Sequence, residues 1–205
     1  MPQNQLKIGN IGTSETEIKD IIKAWVAISI AFAIVLGKPV FSPDFYAKFV
    51  IASLTVGIGF LFHEMGHKIV AQRYGCFAEF RSFDNMLILA IAMSFFGFIF
   101  AAPGAVMITG RISKSRSGRI SAAGPVVNIA LALLFLALAF LQLPNSLKPI
   151  AYYGFLINSW LALFNMIPFW LFDGYKILKW SKLAYGCIAA SAFALMLLQG
   201  FIPSF

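Results

Sequence analysis

The sequence predicts an all-α polytopic membrane protein: a bundle of five to six transmembrane helices with a re-entrant segment and short β-strands beside the candidate site. Hydrophobic residues make up 60% of the 205 positions and charged ones only 12%. Mean hydropathy is +0.83, and several apolar stretches approach the roughly 20 residues needed to cross a bilayer. The length suits a single domain over 1–205, with no room for an added soluble one. Cys76 and Cys187 fall in no paired spacing, which excludes a disulfide framework and a four-thiolate zinc site. The 16 basic residues against 8 acidic ones read as a record of membrane orientation, with the lipid bilayer as partner and no nucleic acid.

Residues 1–14 form a polar N-terminal segment without the apolar core and small-residue cleavage site of a secretory signal, so the first apolar helix is expected to direct insertion and be retained. Gln5 to Ile11 reads as a short amphipathic strand. Ser14-Glu15-Thr16-Glu17 has capping-box spacing and starts a first helix that runs to Gly37 and ends at Lys38-Pro39. A second helix is expected from Pro43 to Tyr74, stopped by Gly75. Phe77 to Phe83 alternates as a strand does. Met86 to Ile108 is apolar but interrupted at Ala102-Pro103-Gly104. After a basic link from Arg111 to Arg119, further helices are expected over Ile120 to Leu143, Ile150 to Phe172 and Leu183 to Phe201, with an amphipathic stretch before the last.

The lysines and arginines test whether 86–110 crosses. A full crossing divides them seven against nine, whereas an element that dips in and returns leaves thirteen on one side and only Lys38, Lys48 and Lys148 on the other. The positive-inside rule favours the second arrangement, with five true spans and a cytosolic N-terminus. Irregular backbone at that depth is tolerated only beside protein or a water-filled cavity, so this element should adjoin the polar site.

The chain holds two histidines, His63 and His67, four apart around Glu64 and deep in an apolar run. Imidazoles and a carboxylate are costly in hydrocarbon unless compensated. On a helix, positions i and i+4 share a face, so both imidazoles can hold one zinc ion while Glu64 reaches a water on that ion as general base. A catalytic site needs a third ligand. Beyond Glu64 the acidic residues are Glu79, Asp84 and Asp173, and only the five-span topology brings Asp173 to the cytosolic side of the His67 end. Asp173 must also sit deeper than a straight helix would place it, and Pro168 offers a means by unwinding the segment from Asn165 to Asp173. Two other readings remain at this point. One is a membrane transporter or non-catalytic scaffold that uses the buried His/Glu/Asp cluster; the other is a metalloprotease with Glu79 as third ligand.

His63-Glu64-Met65-Gly66-His67, followed by Asn165 and Pro168 placed eight and five residues before Asp173-Gly174, resembles the paired motifs of the site-2 protease family of intramembrane zinc metalloproteases. Gly124-Pro125-Val126-Val127-Asn128 is similar to a segment found between those motifs in many members. The resemblance covers about Phe60 to Lys182, and Phe172 stands where leucine is commoner. It implies a minimal core member without an accessory domain. It also implies a metalloendopeptidase that cuts transmembrane protein substrates, with zinc on His63, His67 and Asp173, Glu64 as base, and Asn128 and Asn165 as substrate-binding groups.

Overall fold

The computed structural model describes residues 6–8, 11–37, 42–99 and 102–202. The chain is mostly helical with two small antiparallel ribbons. Its elements are β1 (Leu6–Ile8), β2 (Ile11–Thr13), α1 (Glu15–Leu36), α2 (Pro43–Ala52), a π-helical turn (Ser53–Gly57), α3 (Ile58–Arg73), β3 (Phe77–Ser82), α4 (Asp84–Ser94), β4 (Gly104–Thr109), α5 (Lys114–Ala139), α6 (Lys148–Asn165), α7 (Asp173–Trp180) and α8 (Lys182–Leu197), closed by a 3-10 turn. Among the described residues, three helices are long and apolar enough to cross a membrane: Asp44–Arg73, Lys114–Ala139 and Lys182–Phe201.

Where the sequence suggested one N-terminal strand, β1 and β2 pair as a hairpin. The end of the first helix expected at Lys38-Pro39 lies outside the described residues. Ser14 caps α1 by accepting from Glu17 N at 3.2 Å. The reciprocal half of the capping box does not form, because the Glu17 carboxylate turns inward to the Lys68 ammonium at 2.5 Å. It also accepts from Phe80 N and from the Thr13 hydroxyl. A charge pair removed from water is a stronger claim on that carboxylate than a helix-end amide.

The π turn lies where α2 would otherwise run straight into α3. Its Ser53 carbonyl accepts the turn's backbone bond from Ile58 N and also accepts from the Trp25 indole at 3.0 Å. Trp25 is therefore spent on packing α1 against this turn.

The 86–110 element starts as α4, whose 11 residues cover only about 16 Å. The chain then turns through Gly97, at φ 90°, and comes back as β4. Pairing of β4 with β3 runs from Ser82↔Gly104 to Phe77↔Thr109, so the segment runs back along the strand that leads into it.

At the centre, α5 packs against α3, α6, α7 and α8. Small residues let it approach α3: a Cβ on Gly66 would stand 3.1 Å from the Ala123 carbonyl oxygen. One apolar cluster joins α5, α6 and α8 through Ala132, Phe135, Phe155 and Leu195. Another joins α1, β3 and α4 through Ala24, Ala27, Phe80 and Leu87. The polar site lies between them.

Candidate metal centre

His63 and His67 project from one face of α3 and Asp173 enters from the first residue of α7. His67 Nε2 lies 3.0 Å from His63 Nε2. Asp173 Oδ2 lies 3.3 Å from the first imidazole and 3.1 Å from the second. Four ligands at about 2.0–2.1 Å around one ion define a tetrahedron with edges of about 3.3 Å, so these three atoms already sit as three of its corners. Both histidines are buried, at 6% and 8% exposure.

The far ring nitrogens determine what converges there. His67 Nδ1 faces the Ile120 carbonyl oxygen at 2.8 Å, and His63 Nδ1 faces Asn128 Oδ1 at 2.6 Å. Both partners accept, so each Nδ1 carries the proton and each Nε2 keeps its lone pair. Two imidazole lone pairs and a carboxylate oxygen thus point at one spot with no hydrogen among them. That donor set repels itself unless a cation lies between, and borderline-soft nitrogen with oxygen is a zinc set. The residues therefore fit zinc.

The segment expected to unwind between Asn165 and Asp173 is non-helical. Helix α6 ends at Asn165 and α7 begins at Asp173. Between them Met166 N bonds to Leu163 O and Ile167 N to Phe164 O in a tightening turn. Pro168 ends the helix because it has no amide to continue the ladder. Gly174 lets the start of α7 press onto the backbone of Met166, where any Cβ would collide. Gly124 is nearly as tight, and against the ligands: its Cβ would fall 2.5 Å from Nε2 of both histidines. The backbone of α5 thus forms the wall of the metal position itself.

Glu64, 9% exposed, is outside the ligand group and accepts from Val106 N of β4 at 3.1 Å. Opposite Val106 on the ribbon is Phe80, whose amide points outward to Glu17 at 2.8 Å. Both amides of this pair turn away from the partner strand, as in the non-hydrogen-bonded pairs of an antiparallel ladder. The outer edge of β3 is covered by Glu17 and by Gln72, which donates to Ala78 O at 3.0 Å and clips β2 by bonding Gly12 at both backbone groups.

The other two acids do not join the site. Glu79 pairs with Arg81, and exposed Asp84 pairs with Lys23 at 2.5 Å. Asn128 is fully buried behind His63, with its amide hydrogens directed to Gly59 O and Asn158 Oδ1. Asn165 donates to Leu161 O at 2.9 Å. Sequence reasoning missed Asn158 and the Glu17–Lys68 pair. The signals were present: a carboxamide inside apolar α6, and a lysine directly after His67 that needs a buried carboxylate.

A helical chain in which a His-Glu-x-x-His helix meets an aspartate from a second segment, all lone pairs facing one cation position, has the site of a zinc metalloprotease. The comparisons agree. Over 191 residues, 92% of this chain and 96% of the relative, it is 39% identical to MJ0611 of Methanocaldococcus jannaschii, provisionally named a zinc metalloprotease. It is 25% identical over 159 residues, 77% of this chain, to the zinc metalloprotease MJ0392 of the same organism, and spans 41% of that protein. The chain belongs to the zinc metalloprotease family of MJ0611. No protein-family profile matches it, and no solved structure matches it significantly.

Proposed function

We propose that the protein is an intramembrane zinc metalloprotease of the site-2 protease kind, hydrolysing peptide bonds in or near transmembrane segments of other membrane proteins. The carrying observation is the coincidence of two properties in one helix. The ligands His63 and His67 lie within Asp44–Arg73, an apolar helix of 30 residues. In this reading α1, α2 with α3, α5, α6 and α8 are the spans, and α4 with β4 dips in and returns. The N-terminus and the Asp173 side face the cytosol, as the charge asymmetry favours.

Zinc, when bound, supplies Lewis acidity toward a water and the scissile carbonyl. Glu64 takes the proton of the attacking water at a carboxylate oxygen and gives it to the leaving nitrogen. A helix hides its peptide bonds in its own hydrogen bonds, so a transmembrane substrate must unwind first. The outer edge of β4 offers backbone groups of Gly104 and Ile108 and the carbonyl of Val106 for an extended peptide, next to Glu64, which holds the Val106 amide. Asn165, at the mouth of the connection to Asp173, is the polar group for holding that peptide. Asn128, whose amide hydrogens are donated inside the protein, acts on it through His63.

Purified protein with a panel of single-span substrates tests the proposal, comparing wild type with Glu64→Gln and each with and without a zinc chelator. Cleavage by zinc-loaded wild type alone is expected. Equal cleavage by wild type and variant overturns it.

A further inference from the structure

Behind His63 runs a chain of carboxamides that no catalytic step uses. Asn128 on α5 and Asn158 on α6 are both 0% exposed. A carboxamide buried among apolar helices is costly unless its donors and acceptors are paired. Asn158 Nδ2 donates to Gly154 O at 2.8 Å. Its Oδ1 accepts from Asn128 Nδ2 at 3.0 Å, which also donates to Gly59 O at 3.1 Å. Asn128 Oδ1 is left to accept from His63 Nδ1.

The direction of this chain is determined from its far end. A carboxamide can be turned over with little change of shape, so its orientation depends on its partners. The Gly154 and Gly59 carbonyls can only accept. The first forces the Asn158 amino group toward its own helix and its oxygen toward Asn128. Together with Gly59, that oxygen holds the Asn128 amino group away from His63. The site is shaped for this, since a Cβ on Gly59 would stand 2.5 Å from Asn158 Oδ1.

The two histidines differ here. His67 is oriented by a backbone carbonyl, Ile120 O, which cannot turn over. His63 is oriented by a side chain that can. A reversed Asn128 would present N–H groups to His63 Nδ1, favouring the tautomer with the proton on Nε2, where the metal lone pair must be.

We propose that Asn158 is a positioning residue for the metal centre: its side-chain oxygen holds Asn128 in the one orientation that makes His63 a zinc ligand. The inference rests on the zinc reading of the site and is independent of which peptide is cut.

The test uses the full chain loaded with zinc and labelled with 15N at its histidine rings. With two histidines in the sequence, two Nδ1–H signals report the two rings separately. Asn158→Leu keeps the branched shape and removes the oxygen. Asn158→Ser satisfies its hydroxyl on Gly154 O, as helix serines do, and is too short to reach Asn128; it covers the case in which leucine prevents folding. In either variant the zinc dissociation constant, measured by chelator competition, is expected to rise about tenfold or more. The His63 signal should shift and exchange faster with water while the His67 signal stays in place. Zinc affinity within about twofold of wild type with an unmoved His63 signal overturns the inference, as do equal shifts of both signals, which would mean general loosening. Wild type that takes up no zinc would instead sink the zinc reading, so the two failures are distinguishable.

Discussion

On the α5 and α6 side of Glu64, side chains satisfy one another and nearby carbonyls until three lone pairs are left over. On the β3 and β4 side, the outward groups of a ribbon are satisfied singly, by Glu17, Gln72 and Glu64 itself. The first region has converging acceptors and needs a cation. The second has a strand edge, with α1 and α3 supplying side chains to cover it. A buried polar residue therefore has a different meaning on each side, the metal position in one region and the ribbon in the other.

Replacing ligands breaks the contrast most sharply. His67→Ala or Asp173→Asn should abolish stoichiometric zinc in metal analysis and all activity with it, whereas Glu64→Gln should keep zinc and lose activity by about 10²–10⁴-fold. Next in size is Gly124→Ala, which puts a methyl group 2.5 Å from both metal-facing nitrogens; zinc binding should fail although no ligand has changed. On the ribbon side, Glu17→Gln or Lys68→Met alone should cost about 3–5 kcal/mol by stranding a buried charge, and the double variant should recover most of it in a denaturation series. Gln72→Ala should cost about 1–2 kcal/mol while leaving zinc affinity unchanged, through lost bonds to Gly12 and Ala78.

The smallest effect is at Asp84. Its bond to Lys23 holds its carboxyl below the usual carboxylate range. The sign follows: a depressed folded-state pKa stabilises above the unfolded value of about 4 and is lost as pH falls through the folded one. The Tm of Asp84→Asn should therefore lie slightly below wild type at neutral pH and converge with it in acid.

The site was legible where residue types are rare and their spacing is chemical. Two histidines around a glutamate, with one aspartate downstream, named the centre, and Pro168 marked the break in the helix before that aspartate. The strand at Phe77 was legible from alternation, and the one at Gly104 from the break in an apolar run at Ala102-Pro103-Gly104. The π turn at Ser53–Gly57 was not, because its residues read as uninterrupted helix. Glu17 was read as a cap because local spacing cannot show a partner 51 residues away. Asn158 was missed for the same reason: a lone carboxamide in an apolar helix signals that it needs a partner but does not name it.

The seven residues from Met166 to Phe172 act as a spacer. Phe164 and Phe172 meet edge to face across it at 4.9 Å, and Gly174 seats its end on Met166. Phe169, Trp170 and Leu171 are all more than half exposed. Their identities can drift with the surrounding lipid or a neighbouring chain at no expense to the zinc. Their number cannot, because gaining or losing a single residue would slide Asp173 out of register with both imidazoles.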